Sequence, residues 1–542
     1  MNNTNNLPKR KIREVVRELG LSFDDVFPHG HYIAKIPIEH LKLNEKKKDG
    51  KLILVTAMTP TPKGEGKTTT TIGLGDALRC LGYKSSICLR EPSLGPYFGI
   101  KGGGTGAGKS QIVPSEDINL HFVGDMYSVS KANNLLAALI DNHLYHGNEL
   151  GIDPRRIIWK RVIDLNDRAL REILVGLGGV RHGIPRPDGF VITPASEVMA
   201  MLCLASDFED LGRRLSNALV AFTYKGEPVY VRDIRAEGAM QVLLRDAIHP
   251  NLVQTMEGTP AFVHGGPFAN IAQGTNSIIA TRMALKLTDY VVTEAGFGTD
   301  LGGEKFFHIK CRIANLKPDA VVIVTTVRAI KHHGGFTEDG GLGNLAKHIE
   351  NIRFFGLNPV VAINRFKEDT GKDIDKIIEF CENEGVRSVV TNHYQEGGKG
   401  AVDLAKAVLK SIEENKNYKF TYLYPLDMSI EHKIERIAKK IYGAIGVDFD
   451  RSAETDIELI NRHGFSNLPI CIAKTHKSLS DNPKLLGRPR KFKININELR
   501  IAAGAGFIVA IAGNILTMPG LPKEPVAVRI KVMPDGRTIG LV

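Results

Sequence analysis

The chain has 542 residues, 43% hydrophobic and 24% charged, with six cysteines, one tryptophan and a formal net charge of +11. That is too long for one core and points to three or four units of roughly 150 residues, with the composition of an ordinary globular protein. Cys80, Cys88, Cys203, Cys311, Cys381 and Cys471 lie far apart with no CxxC pair, which argues against a paired-cysteine zinc site and a disulfide framework. No run of about 18 apolar residues offers a membrane span, and the start, MNNTNNLPKRKIREVV, lacks an apolar signal core. A cytoplasmic chain is expected. The positive charge is dispersed and has no aromatic–basic interleaving, so nucleic acid is disfavoured and small polyanionic substrates are the better account.

Residues 51–56 read as an apolar strand buried on both faces. Between it and a helix beginning near Thr68 lies Thr61-Pro62-Lys63-Gly64-Glu65-Gly66-Lys67-Thr68. This is nearly the phosphate-cradling loop of a nucleotide-binding enzyme, with Thr61 where the first glycine stands. Gly64 and Gly66 let backbone N–H groups face a phosphate, Lys67 brings a charge to the β/γ-phosphates and Thr68 a hydroxyl to Mg²⁺. The helix adds its positive end. Residues 61–68 are therefore the candidate ATP-binding set.

The next strand, 84–90, ends in Leu89-Arg90-Glu91-Pro92-Ser93-Leu94-Gly95. The planar fork of Arg90 suits a phosphate or carboxylate; an ordinary arginine–glutamate pair is the alternative. The glycine run 102–108 reads as a mobile loop. An insert over 106–254, too long for a crossover, reads as a separate, mainly helical lobe with helical patterns at 131–143, 167–175 and 194–209. His264 sits in a rigid turn, catalytic or structural. The stretch Thr293 to Asp300, with Glu294 at the end of the strand 289–294, lies where such enzymes keep an acidic metal-organising residue, though a carboxylate there could instead cap the next turn. Strands at 320–325, 359–364 and 387–391 alternate with helices at 345–355 and 373–384. His332 and His333 lack a third ligand at metal spacing. Phe366 and Tyr394, just past two strand ends, either stack on a flat ring or pack. Helices at 430–442 and 452–462 and a tail of short strands follow.

This alternation means a doubly wound, mostly parallel α/β sheet of the P-loop type, with an inserted lobe and a smaller C-terminal α/β domain. The expected partition is 1–105 and 255–356 for the nucleotide-binding domain, 106–254 for the lobe and 357–542 for a C-terminal region contacting folate and nucleotide. Ligands belong at the carboxyl ends of the strands, which carry Thr59, Arg90, Glu294, Arg328, Asn364 and His393.

The chain resembles the formate–tetrahydrofolate ligases from about His31 onward. The resemblance is carried by Thr59 to Thr68, Leu89 to Pro96, Glu116 to Phe122, Ile163 to Arg168, Phe262 to Asn270, Thr293 to Lys305 and Leu516 to Pro522. It implies an ATP-dependent carbon–nitrogen ligase that joins formate to N10 of tetrahydrofolate through formyl phosphate. Lys67 and Arg90 match the catalytic positions on that intermediate, and Phe366 and Tyr394 match the aromatics that sandwich the folate ring. It also implies MgATP and tetrahydrofolate, polyglutamylated forms included, as substrates. Activation by a monovalent cation (K⁺ or NH₄⁺), with Glu91 as a candidate ligand, and a homotetramer are implied as well. Three departures stand out: Tyr394 replaces the usual tryptophan, residues 333–345 are shorter than usual, and Ala512 stands where a threonine is usual. A nucleotide-driven switch or metallochaperone is the alternative in another class.

Overall fold

The structure is a computed structural model that describes residues 10–99, 103–269, 271–536 and 538–540; Gly102 of the glycine run and Asn270 of the 262–270 motif lie outside them. The central elements in chain order are β1 (Lys51–Ala57), α1 (Lys67–Cys80), β2 (Ser85–Leu89), β3 (Asn251–Thr255), β4 (Pro260–Val263) and β5 (Tyr290–Glu294). They continue with β6 (Ala320–Thr325), α2 (Gly341–Arg353), β7 (Val360–Asn364) and β8 (Arg387–Thr391). Across the sheet the order is β3-β4-β2-β5-β1-β6-β7-β8. From β4 to β8 every neighbouring pair is parallel, while β3 joins the edge antiparallel and carries Ile33–Lys35, Phe27–His29 and Ser110–Val113 beyond it.

Side-chain alternation explains why helices cover both faces. In β1, Leu52 and Leu54 enter one apolar core and Ile53 and Val55 the other. Because successive residues of a strand point to opposite faces, a continuous apolar run requires two covering layers. Ile72 and Leu74 of α1 close one face, and Leu345 and Ile349 of α2 close the other. Each fully buried leucine of this kind contributes about 1.5–3 kcal/mol relative to exposure. The chain leaves β1 towards β2 on one side and crosses from β5 to β6 on the other, so the strand order reverses at β1. The crevice at that switch point is where an open α/β sheet receives ligands.

The insert holds the helices Asp125–Tyr145, Glu197–Leu204, Phe208–Asn217 and Glu237–Leu244 and a short antiparallel sheet of Ile152–Ile157, Leu219–Thr223 and Pro228–Tyr230. Their apolar faces join the same core as Leu52 and Leu54. The helix expected over 167–175 does not form. Asp167 caps a single turn, Arg168–Leu170, and Ile173–Val175 then pairs antiparallel with Arg186–Asp188. Branched Ile173 and Val175 favour a strand there. The pattern at 194–209 divides into two helices, the second capped by Asp207, whose carboxylate accepts from the Asp210 N–H at 2.8 Å. In the C-terminal part, a four-stranded sheet runs in the order Gly446–Phe449, Lys493–Ala502, Phe507–Ala512, Ile470–Ala473. Lys474, just past its last strand, is fully buried and pairs with Asp300 at 2.8 Å, tying this sheet to the central one.

Candidate functional site

The 61–68 loop leaves β1 and enters α1 through Gly66. Gly66 has φ +78°, and a Cβ there would fall 2.5 Å from the Asn364 amide nitrogen, so both conformation and space require glycine. The loop is shaped by Glu65, which is buried beneath it. One carboxylate oxygen of Glu65 accepts from the Thr61 N–H at 2.8 Å, the other from the Thr326 hydroxyl at 2.5 Å. Asn364 at the end of β7 donates to the Glu65 carbonyl at 3.0 Å, and Arg328 donates to the Gly64 carbonyl at 2.6 Å. The carboxyl ends of β6 and β7 thus hold the loop open at the N-terminus of α1, with Pro62 and Lys63 exposed and Lys67 half-buried.

Three predicted residues converge at the end of β5. The Thr68 hydroxyl donates to Glu294 at 2.9 Å, and the Arg90 guanidinium lies 3.6 Å from the other Glu294 oxygen. Arg90 is therefore not spent on its neighbour Glu91, and its buried Nε has no partner. Glu91 turns inward; burial, and then the Asp125 carboxylate, push it well above the usual carboxylate range, against the pull of Lys35. One of its oxygens is buried without a partner. The segment after Arg90 is fixed from the 163–168 motif, because Asp164 accepts from the Ser93 hydroxyl at 2.5 Å and the Leu94 N–H at 3.0 Å.

Sequence reasoning missed the network around Thr59. The Asn344 amide donates to the Thr59 hydroxyl at 2.9 Å and to the Gly487 carbonyl at 2.8 Å. His333 Nε2 donates to the Thr59 carbonyl at 2.9 Å, and its Nδ1 then accepts from the Gly487 N–H at 3.4 Å. The short 334–340 segment is thereby clamped between α2 and the C-terminal part; no motif in the sequence signals these partners. His264 is structural: it is buried, with Nδ1 2.7 Å from the Ser277 hydroxyl and Nε2 2.6 Å from the Ala247 carbonyl. Ala512 is buried within its strand.

Phe366 and Tyr394 follow β7 and β8. Phe366 is half-buried, with its N–H held by Asp369 at 2.8 Å. Tyr394 is 51% exposed, so it is not a core residue. The glycine run expected to be mobile contains a short hairpin, in which Gly106 faces Gln111 and Ala107 faces Ser110. Gly108 in it lets the chain pass Tyr394; a Cβ would stand 2.3 Å from the Tyr394 carbonyl and 3.0 Å from its ring.

His393 beside it is buried, with Nε2 3.3 Å from the hydroxyls of both Thr69 and Thr70. Burial lowers its pKa to about 4. Between about 4 and its unfolded value near 6.5 the unfolded chain binds more protons, so this contribution is complete above that window and is lost as pH falls through it. Asp76 and Glu197, both pushed up to about 7 by burial, act in the opposite direction, gaining stability on acidification. A mutant difference isolates the histidine. In denaturant unfolding, the stability of wild type relative to His393→Gln should fall by about 2 kcal/mol from pH 7.5 to pH 5. A difference constant over that range would mean that the imidazole is not held neutral.

The family model described as formate–tetrahydrofolate ligase matches residues 2–542. The chain belongs to the formate–tetrahydrofolate ligase family. Its reaction is the ATP-dependent ligation of formate to tetrahydrofolate, giving 10-formyltetrahydrofolate. Family membership over the whole length decides against the switch and metallochaperone readings. A solved structure of the MinC:MinD cell division protein complex from Aquifex aeolicus is also similar over 69% of this chain and 98% of that one. At 12% identity and a TM-score of 0.26 that likeness carries no argument. No described helix of this ligase is long and apolar enough to cross a membrane.

Proposed function

We propose that the ligase works through formyl phosphate at the crevice where Thr68 and Arg90 meet Glu294. Formate is a poor acyl donor because its oxygen leaves badly. Transfer of the γ-phosphoryl group of ATP to a formate oxygen gives ADP and a mixed anhydride; N10 of tetrahydrofolate then attacks the formyl carbon, expels phosphate and loses its proton. The carrying observation is the convergence at Glu294 of a hydroxyl from the 61–68 loop, at 2.9 Å, and of Arg90, at 3.6 Å. The loop N–H groups and Lys67 bind the phosphates, residues 61–68 forming the ATP site. Thr68 and Glu294 would hold Mg²⁺, whose charge would offset that of the phosphates. Arg90, with a free buried Nε–H, holds the formyl phosphate. Omitting each substrate in turn tests the scheme: ADP release should need formate, and steady release in the absence of formate would overturn it.

The unpartnered Glu91 oxygen fits a monovalent cation, which would keep that carboxylate ionised. The division into nucleotide-binding domain, lobe and C-terminal region follows the strand–helix pattern and the long insert, the homotetramer follows the family resemblance, and a cytoplasmic location suits a ligase of one-carbon metabolism. Phe366 and Tyr394 sandwich the folate ring. A stacked aromatic contributes roughly 0.5–1.5 kcal/mol beyond the area it buries, and tyrosine offers less face than tryptophan. Tyr394→Trp should therefore lower the KM for tetrahydrofolate, leaving the constants for ATP and formate nearly unchanged. Tyr394→Ala should raise it, and Phe366→Ala likewise from the opposite side. Equal losses for all three substrates with a lower Tm would show that Tyr394 supports the fold instead.

A further inference from the structure

Arg328 touches both halves of the site. It stands in the first turn of the helix Val327–His332, whose N-cap Thr326 also donates to Glu65. Its guanidinium donates to the Gly64 carbonyl at 2.6 Å, and its central carbon lies 4.6 Å from the centre of the Phe366 ring. One planar group is therefore hydrogen-bonded to the nucleotide loop and set over the Phe366 ring. Asn364, two residues before Phe366, is bound to the same loop through the Glu65 carbonyl at 3.0 Å.

We propose that Arg328 is a positioning residue that couples nucleotide binding to folate binding. Phosphates gripped by the loop N–H groups fix the peptide planes, and with them the Gly64 carbonyl. That carbonyl fixes the guanidinium, and the guanidinium fixes the ring on which the pterin stacks. The second ligand then meets a platform already ordered by the first, so the coupling is favourable and, by linkage, equal in both directions. This rests on the reading of Phe366 as the folate platform.

The test is titration of a non-hydrolysable MgATP analogue with and without saturating tetrahydrofolate, and the reverse titration, with no formate present. In the wild type each ligand should tighten the other about fivefold, the low end of typical couplings. In Arg328→Met the factor should fall to near one. Arg328→Lys keeps a donor for Gly64 but not the stacking plane; it should hold its binary nucleotide affinity and lose most of the coupling, and it decides the matter if Arg328→Met does not fold. Absence of coupling in the wild type, or full coupling in Arg328→Lys, overturns the proposal. Phe366→Ala separates the two levels. Unchanged folate affinity there removes the platform and this inference with it, whereas weakened folate affinity alongside full coupling in Arg328→Lys removes only the role of Arg328.

Discussion

Lys67→Ala is expected to reduce kcat on the order of 10²–10³-fold, a loss of about 2.7–4 kcal/mol, by analogy with removal of one preorganised donor at a developing charge. Lys67 is the first residue of α1, immediately after the left-handed Gly66, so its ammonium starts from the point where the loop N–H groups and the helix end converge. Charge moves onto the β–γ bridging oxygen as the phosphoryl group leaves ADP, and a fixed cation there lowers the barrier without reorganising. The substitution should not unfold the loop. Its shape depends on Glu65, which binds Thr61 and Thr326, and on Asn364 and Arg328, and the Lys67 backbone carbonyl that accepts from the Thr71 hydroxyl at 2.9 Å is kept in the alanine variant. The KM for tetrahydrofolate should stay nearly unchanged, because Phe366 and Tyr394, the proposed folate aromatics, lie past the ends of β7 and β8 and outside the 61–68 loop. Steady-state and single-turnover ADP release measure both quantities. Near-normal turnover in Lys67→Ala would remove the 61–68 loop from phosphoryl transfer.

What could be read in the sequence divides along physical lines. The strands at 51–57, 290–294, 320–325 and 360–364 were legible because strands buried on both faces need near-continuous apolar runs, and the half-exposed edge strand 387–391 from its branched Val389, Val390 and Thr391. Gly64 to Thr68 and Arg90 stood out as candidates because backbone space, a point charge and a planar fork are what a phosphate demands. Glu294 was legible from its place at a strand end. The rest depends on partners distant in sequence. Glu65 reads as a loop residue, yet its carboxylate reaches a hydroxyl 261 positions away. Asn344, Gly487 and His333 meet at Thr59, and Lys474 meets Asp300, through tertiary contacts that leave no periodicity. Arg328 stood in the expected row of strand-end residues, but only the fold shows one guanidinium serving both Gly64 and Phe366. The misread segment at 167–175 is an insert hairpin, where branched residues and pairing with 186–188 outweigh a helical pattern.

Arg90→Lys should separate charge from geometry. The substitution keeps one positive charge near Glu294 and removes the planar fork that presents parallel N–H donors. In the native arrangement that fork is underused: its contact with Glu294 is long, at 3.6 Å, and its buried Nε has no partner. A buried donor without a partner costs about 1–3 kcal/mol, a strain that an anionic ligand relieves. On the proposed scheme formyl phosphate would offer both a phosphate and an acyl oxygen to such a fork, whereas ATP would be gripped by the loop and α1. The lysine variant should therefore retain nucleotide affinity within about threefold, while single-turnover formyl transfer to tetrahydrofolate falls on the order of 100-fold, the scale of one lost preorganised donor. Rapid-quench measurement of 10-formyltetrahydrofolate, alongside equilibrium binding of an ATP analogue, gives the two numbers on one preparation. The reverse pattern, with nucleotide affinity collapsing while formyl transfer survives, would make Arg90 an anchor for ATP and leave the intermediate to other groups.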